Sequence, residues 1–102
     1  MPLTIRLEDV QRRRIAERFD TTDVLLRSIH AQSANGEIRL LRHVDPYGDT
    51  VFNGLQARDV VTEIDELRAD VSTDDLSILS GIRDLAEQCA SGVHLFLMFY
   101  GD

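Results

Sequence analysis

Val93-His94-Leu95-Phe96-Leu97-Met98-Phe99-Tyr100 is the longest apolar run in the chain, and its reading decides how the rest is arranged. As a strand it puts Val93, Leu95, Leu97 and Phe99 on one face. His94, Phe96, Met98 and Tyr100 fall on the other. A strand apolar on both faces belongs inside a sheet, covered on both sides. Left at an edge, it would recruit other chains. The run is therefore assigned to the sheet interior, between a first strand near the N-terminus and a strand over Glu37–Val44. Its second face is covered by helices or, as the alternative, by a partner subunit. It is far shorter than the ~20 residues that cross a bilayer.

Working back along the chain, Ser72-Thr73-Asp74-Asp75 offers cap oxygens and favourably placed acids for a helix. That helix carries Leu76, Leu79, Ile82, Leu85, Ala86 and Cys89 on one side, and Gly92 is read as its C′ residue. Val60, Ile64, Leu67 and Val71 recur at spacings of four, three and four, and Val61 widens the stripe. Ala57 to about Asp70 is therefore an amphipathic helix. Asp45-Pro46-Tyr47-Gly48 fits a type I turn joining the Glu37–Val44 strand to an antiparallel Thr50–Phe52 strand. Ser33-Ala34-Asn35-Gly36 closes a helix over Val24 to about Ala31, which Asp20-Thr21-Thr22-Asp23 opens.

Leu3 to Glu8 alternates apolar and polar as a half-buried strand does. The following segment fits either a return strand over Ile15, Glu17 and Phe19 or a helix over Asp9–Phe19. Arg14 would spoil the helix's apolar face, so a hairpin is expected. The sum is a single α+β domain in the order ββαββααβ. A mainly antiparallel sheet of four or five strands has its helices packed on one face.

The 102 residues suffice for one core without staples. One cysteine, Cys89, excludes an internal disulfide. Its place on an apolar stripe makes it a buried core thiol. The chain opens as a strand instead of a basic-then-apolar leader, so the cytoplasm is the expected compartment. A net charge of −7 argues against nucleic acids and anionic membranes as partners. All eleven cations are arginine, which suits forked pairing with carboxylates and points to a GC-rich bacterial source.

Two groups of side chains are candidates for function. Asp59, Glu63, Glu66 and Asp70 share one helix face, and Asp74, Asp75, Asp84 and Glu87 extend the same sign. Such a surface would dock a basic protein and speed encounter by electrostatic steering. His43, Asp45, Tyr47 and Asp49 surround the turn. Its carboxylates suit turn chemistry, and Asp45, Tyr47 and Asp49 are also candidate binding residues. The alternative is a small hydrolase or metal-dependent enzyme centred on His43–Asp49, with His94. No HExxH, CxxC, nucleophile elbow or phosphate-binding glycine loop is present, and no cofactor is expected.

The segments Asp-Pro-Tyr-Gly-Asp-Thr-Val-Phe-Asn (45–53) and His-Leu-Phe-Leu-Met-Phe-Tyr-Gly-Asp (94–102) resemble those of small uncharacterised bacterial proteins. In size, acidity and α+β make-up the chain is also similar to bacterial immunity proteins. That likeness implies a non-enzymatic, protein-binding role in toxin neutralisation.

Overall fold

The computed structural model describes residues 2–32 and 38–101. Its elements are β1 (Leu3–Asp9), β2 (Arg14–Asp20), α1 (Val24–Gln32), β3 (Asp49–Phe52), α2 (Gly54–Leu67), α3 (Thr73–Ser91) and β4 (Leu95–Gly101). The four strands form one antiparallel sheet in the order β2-β1-β4-β3. The α+β architecture and the interior position of β4 match the sequence reading.

Alternation sorts the two sides of the sheet. Leu3, Ile5 and Leu7 of β1, Leu97 and Phe99 of β4, and Phe52 of β3 are buried on one side. There they meet Val24, Leu25 and Ile29 of α1, Val60, Ile64 and Leu67 of α2, and Leu79, Ile82 and Leu85 of α3. Phe52 stands edge-on to Phe99 at 5.7 Å. Cys89 is buried in this core, and burial pushes its thiol above the usual range. The two long helices run antiparallel. Arg83 of α3 grips Asp65 of α2 with Nε at 2.7 Å from Oδ1 and a second bond at 3.3 Å to Oδ2. Arg68 adds a bond at 3.2 Å. Arg83, then Arg68, holds the Asp65 carboxyl below its ordinary value.

The hairpin reading of the N-terminal segment is correct, and Asp9 is the reason. Its Oδ1 accepts from Gln11 N at 2.9 Å and Arg13 N at 3.0 Å, while Oδ2 accepts from Arg13 Nε at 2.8 Å. These bonds, the Arg13 backbone first, hold its carboxyl below the ordinary range. Arg12 supplies the left-handed residue of the turn, at φ 64°. Asp20 ends the hairpin and starts α1. It is fully buried, with Oδ1 accepting from Val24 N at 2.9 Å and Oδ2 from Leu25 N at 2.8 Å. Two otherwise unpaired donors are thereby satisfied at the positive end of the helix.

Four expectations are corrected. No strand runs through residues 38–44; Leu41–His43 is a 3₁₀ turn, so the sheet has four strands. The expected Ser33–Gly36 turn and Glu37 lie outside the described residues. β3 is where expected but pairs with β4, Val51 opposite Met98, instead of with the segment before it. Helix α2 starts three residues early because Asn53 and Gln56 form a reciprocal capping box, with bonds of 2.9 and 3.0 Å. Gly92 ends α3 in an extended conformation, φ −89°, and the left-handed residue is His94 at φ 57°. The last strand therefore begins at Leu95, and His94 lies exposed before it.

Two glycines distinguish close approach from helix propensity. A Cβ on Gly101 would lie 2.4 Å from the Pro46 carbonyl oxygen and 2.6 Å from that of Asp45. Gly101 N also donates to Gly48 O at 2.8 Å, tying β4 to the turn. Gly101→Ala is expected to destabilise by about 1–3 kcal/mol in urea unfolding, since backbone must move. A Cβ on Gly81, inside α3, would meet only the Arg18 side chain at 3.3 Å. Gly81→Ala is expected to stabilise by about 0.5–1 kcal/mol, because that side chain can swing aside.

Candidate functional site

The turn at residues 43–49 is built from its own hydrogen bonds. Asp45 Oδ1 accepts from Tyr47 N at 2.8 Å, Asp45 N donates to Thr50 Oγ1 at 3.0 Å, and Gly48 N donates to Asp45 O at 3.4 Å. Gly48 is required by close approach: a Cβ there would lie 2.8 Å from Asp45 Oδ2. His43 is exposed on the 3₁₀ turn, Tyr47 is exposed at the tip, and Asp49 is exposed at the start of β3. Among the described residues no three His, Cys, Asp or Glu side chains are grouped to hold a metal ion. The Asp45 carboxylate thus serves the turn, and His94 sits apart, before β4.

The acidic helix face is split by the fold. Asp59 and Glu66 are exposed and form no ion pair with any described residue. Glu63, expected beside them, is only 6% exposed. Its Oε1 accepts from Leu41 N at 3.0 Å, and Oε2 accepts from Leu40 N at 3.0 Å. This carboxylate does for the 3₁₀ turn what an N-cap does for a helix, from 22 and 23 residues away in sequence. Glu63 is therefore a positioning residue for the segment leading into the turn, and a docking surface has to be built without it. The Asp70 side chain lies outside the described atoms. On α3, Asp74 and Asp84 are exposed without a described ion-pair partner, and Glu87 pairs with Arg83 at 3.0 Å. Asp84 and Glu87 also border a groove of about 460 Å³, whose apolar lining includes Leu7, Ile15 and Leu95.

The sheet face turned away from the helices holds a cluster the sequence reading did not single out. Register places Glu8, Arg6 and Thr4 of β1 on it, opposite Phe96, Met98 and Tyr100 of β4. Glu8 is 3% exposed and accepts a hydrogen bond from the Tyr100 hydroxyl. Arg12 Nε, on the hairpin tip, lies 3.9 Å from Glu8 Oε1. The Tyr100 hydroxyl, then Glu8, keeps the Arg12 guanidinium more firmly protonated than usual. Arg6 stacks over the Tyr100 ring at 5.2 Å and pairs with Glu17 of β2. Burial first, and the Glu8 bond second, hold the Tyr100 hydroxyl above its usual range. Beside this cluster Val10, Val51, Phe96 and Met98 line a groove of about 310 Å³. A signal existed: Glu8 and Arg6 share the polar side of β1 across from a strand with no polar side. Only pairing information brings them together.

Two outcomes test these assignments. Glu63→Ala removes the acceptor for Leu40 and Leu41 and should cost about 1–3 kcal/mol, with faster amide exchange at those two residues. For a domain of this size that is a fall of roughly 4–8 °C in Tm per kcal/mol. In a Tyr47→Phe background, absorbance titration should show Tyr100 ionising at lower pH when Glu8→Gln is introduced. The sign follows because a carboxylate accepting from the phenol favours its protonated form.

No helix among the described residues is long and apolar enough to cross a membrane. This chain matches no protein-family model, and comparisons with curated proteins and with solved structures find no significant match.

Proposed function

We propose that the chain is a non-enzymatic binding protein that recognises a basic protein through its acidic helical layer. A toxin-neutralising, immunity-type role in a bacterial cytoplasm is the sharpest form of that reading. The observation that carries it is the groove of about 460 Å³ between the hairpin and α3. Its floor includes Leu7, Ile15 and Leu95, and Asp84 and Glu87 stand on its wall. Ile15 is 52% exposed there. An arginine or lysine needs both features at once, apolar surface for its stem and carboxylate for its head. Asp59 and Glu66 lie on the neighbouring helix and contribute to the long-range field of a chain with net charge −7. Asp45 and Tyr47 stay in the proposal as exposed groups of the turn before β3, with Tyr47 71% exposed. Asp49, by contrast, falls on the sheet face opposite Tyr100.

The test is capture of a partner by the tagged chain from bacterial lysate, repeated with two sets of reversals. Asp59→Lys with Glu66→Lys should slow association, because exposed field-setting charges act on encounter. Asp84→Lys should weaken the complex further by removing a groove carboxylate. Both variants should melt within about 4 °C of the parent, as surface substitutions shift stability by about 0.5 kcal/mol or less. A basic protein retained equally by parent and reversed variants would sink the proposal.

A further inference from the structure

We infer that the sheet face opposite the helices is the contact surface for a second copy of this chain. The first argument is charge. Register and contacts place Arg6, Arg12 and Arg14 on this face together with Glu8, Glu17 and Asp49, so its formal charges cancel. The chain as a whole carries −7. The rest of the surface therefore carries the whole net charge, and two copies meet with least repulsion through this face. A two-fold contact here also turns the acidic helical layers away from each other. A basic partner is drawn to those layers, while an acidic copy meets least repulsion on this side.

The second argument is what covering the face would cost. Glu8 is 3% exposed and Met98 is 7% exposed in the single chain. The central carboxylate is already out of water and already bonded to Tyr100. Arg6 and Arg14 are paired with Glu17. Closing the face strands no central charge, which is the usual penalty for burying a polar sheet. Arg12, Arg14 and Asp49 are exposed on the hairpin tip and the two edge strands, and stay at the wet rim of a contact. With them, Val10 at 62%, Val51 at 53% and Phe19 at 60% remain exposed around that centre. Face-to-face sheets of this kind pack about 10 Å apart through such side chains.

The third argument is area, and it sets the strength. Four strands about 4.8 Å apart and seven residues of about 3.3 Å give a face of at most about 19 by 23 Å. Counted over both copies that is roughly 900 Å², below the about 1,200–2,000 Å² of stable interfaces. A weak, reversible dimer is therefore expected to form between about micromolar and millimolar concentration.

Sedimentation equilibrium of the full chain across that range tests the inference. The wild-type chain should reach the mass of a dimer, and added salt should strengthen association by screening like charge. Val51→Arg should weaken the dimer by about tenfold or more, since it sets an unpaired charge among the exposed apolar side chains that the contact covers. Leu55→Arg, at an exposed apolar residue on α2, should leave it unchanged. A monomer at millimolar concentration would overturn the inference. So would a dimer broken by Leu55→Arg or by Asp59→Lys with Glu66→Lys, and not by Val51→Arg. If Val51→Arg abolishes capture of a lysate protein while the chain is monomeric, the face belongs to that protein and the inference also fails. Failure of the acidic-layer reading leaves these results untouched, because it is scored by other residues and by the opposite response to salt.

Discussion

The central position of β4 is the constraint from which the remaining structure follows. Its backbone pairs on both sides, with β1 through seven residues and with β3 through four. Leu97 and Phe99 on one face require a layer of helices, and α1, α2 and α3 supply it. Phe96, Met98 and Tyr100 on the other face require cover that no helix gives. The chain answers with side chains from β1 and the hairpin tip: Glu8 bonds to Tyr100, Arg6 lies over its ring, and Arg12 closes on Glu8. An apolar strand is thus half roofed by charged groups that satisfy one another. Such a roof is thin, and its rim of Val10, Val51 and Phe19 remains open to solvent.

Acidity in this protein divides into two uses. Asp20, Glu63 and Glu8 are all buried, and each carboxylate accepts hydrogen bonds that hold a specific joint. Asp20 joins the hairpin to α1, Glu63 joins α2 to the segment before β3, and Glu8 joins β1 to β4. Burying a carboxylate is costly unless donors surround it, and in the first two cases backbone N–H groups do so. Asp59, Glu66, Asp74 and Asp84 carry the exposed charge and make no ion pairs with described residues. A net charge read from composition cannot separate these classes. The distinction matters, because only the second can steer a partner.

What was legible in the sequence was what short-range periodicity encodes. The alternation of Leu3, Ile5 and Leu7, the stripe of Val60, Ile64 and Leu67, and the doubly apolar terminal run each specify an element and its buried side. The Asp9 bonds that close the hairpin turn were not read from the sequence. The hairpin itself was legible only indirectly, because Arg14 would spoil a helix's apolar face. The segment 38–44 was not. Its buried residues Ile38, Leu41 and Val44 recur every third residue, unlike the alternation of a strand, and Glu63 draws the Leu40 and Leu41 amides into a 3₁₀ turn. That acceptor lies more than twenty residues away, and no local pattern announces it. The Glu63 periodicity was equally ambiguous, since a carboxylate at the edge of an apolar stripe reads as exposed until its donors are known. The Glu8–Tyr100 bond spans almost the whole chain, so only the sheet register discloses it.

The resulting molecule has two surfaces with opposite electrostatic character. The helical side carries exposed carboxylates without described ion pairs at Asp59, Glu66, Asp74 and Asp84, the last beside an apolar groove. The sheet side is neutral by formal charge, and its exposed positions mix Val10, Val51 and Phe19 with Arg12, Arg14 and Asp49. Long-range attraction falls with salt, whereas association of like-charged copies through a neutral patch rises with it. A single chain of this design can therefore present its acidic layer outward while the sheet face is occupied. If both contacts form, the two acidic layers lie on opposite outer sides of the dimer, farther apart than the Debye length of about 8–10 Å, so each layer meets its own basic partner independently.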